Sequence, residues 1–274
     1  MYREAATLMP LMRNSFQIFG EDVTNTVFPK SSGQCPEKKQ EAETALQKTD
    51  KAQAALGAVS VGLVDTLKSF NVFPDLVAGH SFGELSAHYA AETINQEDYR
   101  HLTLKRGELM ADAASGNSGM VAVIGNKDKI LDLVAEFDED ITVANYNGED
   151  QTVVAGNIKS LDEFEKSANT RGLLPFRLKV GAGFHSHFVE SAAQPFANTL
   201  KKIKLQKPIC PILSGETGKT YPQKSHQQIH ILAQQLSAPV NWTAVMQSLL
   251  EANCDLLLEV GPSQALSGMH TKYK

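Results

Sequence analysis

Cysteine is scarce in this chain. Three in 274 residues, Cys35, Cys210 and Cys254, are odd in number, far apart and without C-x-x-C spacing. That argues against a disulfide framework or a zinc site and fits a reducing compartment. None sits where a nucleophile is expected, so the three read as inert. Long apolar runs are missing too: none approaches the ~20 residues of a membrane-spanning helix. No signal-peptide pattern opens the sequence, so a cytoplasmic place with no membrane partner is expected. Positive charge is in deficit, 26 Lys and Arg against 31 Asp and Glu, and the net charge of −5 argues against nucleic acid as a partner. No internal repeat is visible. What remains, 42% hydrophobic and 21% charged residues, is the composition of an ordinary globular enzyme with a large domain or a large and a small one.

The hydrophobic rhythm is α/β. Residues 3–19 read as a surface helix, followed through about residue 43 by a polar connector punctuated with Pro and Gly. A strong helix follows, with Asp50 as its cap and Leu56, Val59, Leu63, Val64, Leu67 and Phe70 at helical spacing. Residues 75–78 form an apolar strand-like run, and Asn95 with Asp98 three residues on resembles a capping box. The middle reads as strand 120–124, helix 128–137, strand 141–144, a Gly148 turn, strand 152–155, helix 161–171 and strand 173–180. This β-α-β-β-α-β order is the ferredoxin-like unit. The expected architecture is therefore a hydrolase-like, doubly wound α/β core from residues 1–115 and 181–274, with a ferredoxin-like subdomain, 116–180, inserted. Gly116-Asn117-Ser118-Gly119 and Gly181-Ala182-Gly183 would be its hinges. Further on, 188–203 is helical, with Pro195 either kinking it or opening a second helix. A short strand at 209–213, helices at 229–236 and 242–252, and a last strand at 255–260 complete the core. Its site is expected where loops leave the strand ends.

Chemistry enters at Gly79-His80-Ser81-Phe82-Gly83, a G-x-S-x-G pattern between the 75–78 run and a helix-like stretch. In that context the pattern means a nucleophile elbow, its glycines sitting where the turn is too sharp for a side chain on either flank. Ser81 is lifted to the positive N-terminus of the following helix, where the Phe82 N–H can stabilise an oxyanion. A tight βα turn with a chance serine is the alternative. A serine hydroxyl needs a base within reach. His185, in Gly183-Phe184-His185-Ser186, is favoured at the returning hinge, with His187 its rival. His80 must point away from the nucleophile and reads as a buried neighbour, while His88, His101, His226, His230 and His270 read as solvated. No acid is evident as third member: Asp138, Glu139, Asp140, Glu149 and Asp150 all fall in turns of the inserted unit, which counts against a plain esterase. Arg106 interrupts the apolar stripe Tyr99, Leu102, Leu109, Ala113. A buried guanidinium needs an anion, and a structural carboxylate and a bound one are equally open on physics alone.

Further stretches complete a pattern: Thr49-Asp50-Lys51-Ala52-Gln53, Arg106-Gly107 followed by Met110, Gly119-Met120-Val121-Ala122-Val123, and Asn145-Tyr146-Asn147 with Gln151. Gln235-Leu236 ahead of Pro239-Val240-Asn241-Trp242, and Glu259-Val260-Gly261-Pro262, close it. Together with the elbow these resemble, over nearly the whole chain, the malonyl-CoA:acyl carrier protein transacylases and the acyltransferase domains of polyketide and fatty acid synthases. The Gly79–Leu85 form and the Thr49–Gln53 entry look most like iterative synthases of polyunsaturated fatty acids or enediynes. The resemblance implies a Ser81–His185 dyad whose imidazole is oriented by the backbone carbonyl of Gln235. It implies that Arg106 grips a malonyl carboxylate, that Gln53 lines the pocket, and that Phe184 favours malonyl over a branched acyl group. It further implies no bound cofactor, a CoA thioester and a carrier-protein phosphopantetheine as substrates, and an acyl carrier protein and neighbouring synthase domains as partners. Family members open with a Phe-x-Gly-Gln-Gly loop supplying a second oxyanion donor. Met1-Tyr2-Arg3-Glu4 begins just past it, so a segment of a longer polypeptide, or a truncated chain, is expected. A serine thioesterase, or a non-catalytic synthase fragment, is the alternative. Lys201, Lys202, Lys204 and Lys207 form the densest basic cluster, a carrier dock or simply a solvated helix end.

Overall fold

The computed structural model describes residues 9–29, 36–114 and 116–270. Helix α1 (Pro10–Phe19) starts on a proline, whose missing N–H is harmless in a first turn. The expected helical residues 3–8 lie outside the described residues. Met12, Ser15, Phe16 and Phe19 are all buried, so α1 presents a face to the core and is more than a surface helix. The polar connector holds two further helices, α2 (Glu21–Val27) and α3 (Pro36–Ala45). Periodicity missed α3 because it has no apolar stripe to detect. Helix α4 (Thr49–Ser69) is the long one. Lys48 is its N-cap, and Asp50 sits inside the first turn, where its charge complements the helix dipole rather than capping it.

The buried face of α4 is made mostly of small residues: Ala54, Gly57, Ala58, Val61 and Gly62. That permits close approach of its neighbours. A Cβ on Gly62 would come within 2.7 Å of Met12 Sδ in α1, and one on Gly57 within 2.7 Å of Thr103 Cγ2. Thr103 belongs to α6 (Gln96–Asp112), which follows the short elbow helix α5 (Gly83–Ala90). Of the larger residues expected on the buried face of α4, Val59 and Val64 are in the core, Leu56, Leu63 and Leu67 are half-buried, and Phe70 is 72% exposed. Asn95 caps α6 as expected, its side chain accepting from the Asp98 N–H at 2.9 Å.

The β-α-β-β-α-β order is observed as β1 (Ser118–Ile124), α7 (Lys127–Ala135), β2 (Ile141–Tyr146), β3 (Gln151–Asn157), α8 (Ile158–Thr170) and β4 (Leu174–Arg177). The sheet runs β4-β1-β3-β2, antiparallel throughout, and β5 (Val240–Asn241) adds in parallel to β2. Strand alternation divides the side chains between two faces. Val121, Val123 and Val154 point to α7 and α8, with Leu133 and Phe164. Met120, Ala144, Val153 and Ala155 point the other way, towards Phe184. The sheet thus offers a small-residue face to the rest of the chain.

Pro195 takes the second of its two options: a 3-10 turn, His187–Ala192, gives way to α9 (Ala193–Leu200) with Pro195 in its first turn. Helices α10 (Ser225–Gln234), α11 (Trp242–Glu251) and α12 (Ala265–His270) follow. The mixed α/β fold is as expected, but three expected strands are shorter than their apolar runs. Residues 75–78 and 209–213 meet in one parallel bridge, Val77 to Ile212. The Val77 N–H donates to Pro211 O at 3.0 Å, and the Leu213 N–H to Val77 O at 2.9 Å. Residues 255–260 form no strand, and Leu256 is 77% exposed. An apolar run becomes a strand only where a neighbour takes its N–H and C=O groups, and among the described residues 255–260 has no such neighbour. Among the described residues no helix is long and apolar enough to cross a membrane.

The elbow carries the tightest backbone approach. A Cβ on Gly79 would overlap the Gly83 carbonyl and the Glu84 nitrogen, whereas one on Gly83 meets nothing within 4 Å. The requirement for glycine therefore falls on Gly79 alone, correcting the expectation for both flanks. Gly79→Ala should destabilise the protein at or beyond the upper end of the ~1–3 kcal/mol typical of overpacking. Gly83→Ala, at a helix start, should be neutral or slightly stabilising. Urea denaturation of the two variants reads the difference.

Candidate active site

Ser81 stands at the tip of the elbow with φ of 53°, in the left-handed region. For a non-glycine residue that conformation costs on the order of 1–3 kcal/mol and needs support from its surroundings. The support is visible. The Gly83 N–H donates to His80 O at 2.9 Å and the Glu84 N–H to Ser81 O at 3.1 Å, winding the chain directly into α5. The Phe82 N–H meets no acceptor among the described residues and points from the N-terminal end of that helix.

His185 also has a left-handed backbone, φ 58°. Its Nε2 lies 2.6 Å from Ser81 Oγ, and its Nδ1 lies 2.9 Å from Gln235 O. A carbonyl can only accept, so Nδ1 carries the proton and Nε2 is left bare to accept from the serine hydroxyl. The backbone N–H of His185 donates to Leu236 O at 3.3 Å, holding the ring's own main chain to the same segment. Burial, with the Arg106 and His80 charges adding to it, holds the imidazole down at about 3. His187 is exposed and packs on Phe188 instead. Of the acids considered, Asp138, Glu139, Asp140 and Glu149 are exposed, and none, Asp150 included, bonds to His185.

The other histidines divide. His101, His226 and His230 are exposed, as expected, and His270 is half-buried. His88 is not solvated: it is fully buried, its Nδ1 2.8 Å from Thr93 Oγ1 and its ring edge-on to Tyr221. Burial lowers it to about 3. A histidine in a helix turns inward when its register falls on the core side, and one residue of register is not legible from composition. His80 does turn away from Ser81, its Nε2 2.8 Å from Asn147 Oδ1 in the β2–β3 turn and its ring 5.5 Å from that of Trp242.

Arg106 is 2% exposed. Its Nη1 donates to Gln53 Oε1 at 2.8 Å and its Nη2 to Gln235 Oε1 at 3.0 Å, and the guanidinium lies 5.8 Å from the Phe82 ring centre. Among the described residues no carboxylate forms an ion pair with it. Burial lowers Arg106 to about 10, so it stays a cation at neutral pH. Glu84, whose charge Arg106 feels, is buried in α5 and accepts the Tyr221 hydroxyl; burial raises it to about 7. Two neutral amides therefore hold a cation without neutralising it. Together Ser81, Arg106, Gln53, Phe184, Met120 of β1 and Asn145 of β2 line a cavity of about 230 Å³ between the helices and the small-residue face of the sheet. Sequence reasoning had named Ser81, Arg106, Gln53 and Phe184 for the site but not Met120 or Asn145, and it missed the side-chain roles of Gln235 and Asn147. An amide has no charge or periodicity to announce which partner it meets.

The model of the acyl transferase domain matches residues 29–272. The chain belongs to the acyl transferase domain family. Among its relatives is the polyketide biosynthesis malonyl CoA-acyl carrier protein transacylase of Bacillus subtilis, 33% identical over 237 residues, covering 84% of this chain and 80% of that one. Among solved structures, a malonyl CoA-acyl carrier protein transacylase from Clostridium perfringens superposes with a TM-score of 0.87 at 26% identity, over 99% of this chain and 85% of that one. A malonyl-transacylase solved in complex with its type II PKS acyl-carrier protein gives 0.87 at 27% identity, over 99% and 87%. A bare ring nitrogen, a serine hydroxyl and an N–H at a helix start are groups that covalent acyl chemistry can use.

The depressed His185 pKa makes a pH prediction. A histidine held below its ordinary 6.5 stays neutral in the folded protein. It contributes stability that is complete above the unfolded value and is lost as pH falls from there towards about 3. The rate of Ser81 labelling by a fluorophosphonate should accordingly show no decline centred on 6.5. A midpoint at that value would mean a solvated imidazole.

Proposed function

We propose that this acyl transferase moves a malonyl group from malonyl-CoA to the phosphopantetheine thiol of an acyl carrier protein, in fatty acid or polyketide synthesis. One observation carries the reading: the Ser81–His185 pair, 2.6 Å apart, shares a cavity with a buried arginine that has no acidic partner among the described residues. Ser81 Oγ attacks the thioester carbonyl while His185 Nε2 takes its proton, and the oxyanion meets the Phe82 N–H. Collapse expels CoA thiolate, which takes the proton from the imidazolium and leaves an acyl-serine. The carrier thiol then gives its proton to His185 and attacks the acyl carbonyl, and collapse expels Ser81 Oγ, which takes that proton back from the imidazolium and restores the free enzyme. The carbonyl of Gln235 holds the imidazole in one tautomer, so no carboxylate is needed as third member. Arg106 binds the free malonyl carboxylate in a charge-assisted pair, with Gln53 holding the guanidinium and Phe184 closing the space beside the α-carbon.

Residues 1–115 and 181–274 act as the hydrolase-like body in this reading, and 116–180 as an inserted ferredoxin-like unit whose sheet roofs the cavity. The chemistry calls for no bound cofactor. The protein works in the cytoplasm, free or beside other synthase domains, and the relative solved with its carrier protein supports such a partner.

Ser81→Ala should abolish malonyl loading, and His185→Ala should lower it by several orders of magnitude, since either half of such a unit is worth nearly the whole. Loss in His187→Ala instead would move the base by two residues. Competitive loading of malonyl-, methylmalonyl- and acetyl-CoA tests the pocket. Malonyl should win over methylmalonyl by roughly 10–200-fold, the limit for one extra methyl. Arg106→Ala should cost malonyl on the order of 2–5 kcal/mol and acetyl far less, because only malonyl leaves a desolvated carboxylate stranded. Equal losses would make Arg106 structural. Water in place of carrier thiol as the main acceptor would make the protein a thioesterase.

A further inference from the structure

Orienting His185 takes only the main-chain carbonyl of Gln235, yet the side chain of the same residue makes two more contacts inside the site. Its Oε1 accepts from Arg106 Nη2 at 3.0 Å, and its Nε2 donates to the Ser81 carbonyl at 2.6 Å. The amide orientation is unambiguous, because a guanidinium can only donate and a carbonyl can only accept. The Ser81 carbonyl belongs to the same peptide group as the Phe82 N–H. Three polar units therefore stand in line: guanidinium, Gln235 amide, and the Ser81–Phe82 peptide, whose far end is an N–H that meets no acceptor among the described residues. Each amide conducts polarisation from its oxygen to its N–H, and hydrogen bonds in such a chain strengthen one another. The Glu84 N–H, also on Ser81 O at 3.1 Å, polarises the peptide in the same sense. Burial of Arg106 and Gln235 keeps water from screening the chain.

We propose that the Gln235 side chain is a positioning residue that relays the Arg106 charge, through two amide groups in series, onto the Phe82 N–H that meets the oxyanion. The inference rests on the acyltransferase reading of Ser81. It gives Arg106 a part in the chemical step for every acyl group, apart from its grip on a carboxylate. A strengthening of 10–30% per bond, applied to a donor whose removal costs about 10²–10³ in rate, corresponds to a change of about 2- to 8-fold.

The test uses acetyl-CoA, whose acyl group offers Arg106 nothing to bind. Gln235→Met keeps the main-chain carbonyl for His185 and the side-chain length but removes both amide ends. Gln235→Glu, isosteric, takes its place in the same cycle if the methionine variant does not fold. Arg106→Gln removes the charge and leaves Gln235. For the wild type, each single variant and the double variant, KM and the acylation rate as a function of pH, including its acid limb, are measured. The isotope-edited infrared carbonyl band of the acetyl-serine is recorded as well, since its frequency falls as the oxyanion donor strengthens. Each single change is expected to slow acylation about 2- to 8-fold, leave KM and the acid limb in place, and raise the carbonyl frequency. The double variant is expected to go no further than the Gln235 variant alone. Additive shifts would mean that the charge acts through space, and the relay would be overturned. An unmoved band in the Gln235 variant, or a shifted acid limb without a moved band, overturns it as well. A wild type that forms no acyl-serine even from malonyl-CoA overturns the acyltransferase reading itself, a result distinct from a wild-type band that is indifferent to Gln235.

Discussion

The site depends on one strained backbone conformation, Ser81 at φ 53°. No sequence-local preference favours it, because a side-chain-bearing residue is more stable elsewhere. It is held by what surrounds it. Gly79 permits the following turn to fold back against its own Cα, two N–H groups converge on the Ser81 carbonyl, and α5 begins at the next residue but one. The same conformation lifts the hydroxyl towards His185 and turns the Phe82 N–H free. Stability given up at a single residue thus becomes geometry at three atoms.

Burial sets the electrostatics. Water is excluded from His185, which keeps its imidazole neutral and able to accept a proton at any ordinary pH. It is also excluded from Arg106, but a guanidinium cannot shed its charge in the same way. Gln53 and Gln235 solve this with oxygens rather than charges: they satisfy two of its N–H groups and leave the cation uncompensated. An acid in either place would have made a stable ion pair and a site indifferent to anions. Glu84, whose charge Arg106 feels, is turned to Tyr221, and burial favours its neutral form.

The sheet has a different task. Its alternation separates a face that packs on α7 and α8 from one of small side chains, and the second face closes the cavity over the serine. The parallel pairing of β5 with β2 and the hydrogen bond from His80 to Asn147 tie that sheet to the elbow and to the corner before α11. The elbow therefore bears on both walls of the site.

Strong local patterns were legible without coordinates. The alternating strands and intervening helices of 118–177, the Asn95 cap, the glycine-flanked serine and the arginine in an apolar stripe each carry their reason in nearby residues. Where the reason was not local, the reading failed or stopped. Helix α3 has no apolar face, 255–260 has the composition of a strand but no partner beside it, and His88 differs from a solvated histidine only by the side of α5 on which it falls. His185 was already favoured over His187 by its place at the hinge, but the contacts that separate the two exist only where the chain brings residues 81, 185 and 235 together. By itself the sequence determined which residue types were available and how each segment was disposed to fold. Only the tertiary structure decided that the Gln235 amide faces Arg106, that Asn147 meets His80 and that His88 turns inward to Thr93, because a hydrogen bond is specified by distance and direction between groups that sequence alone does not place.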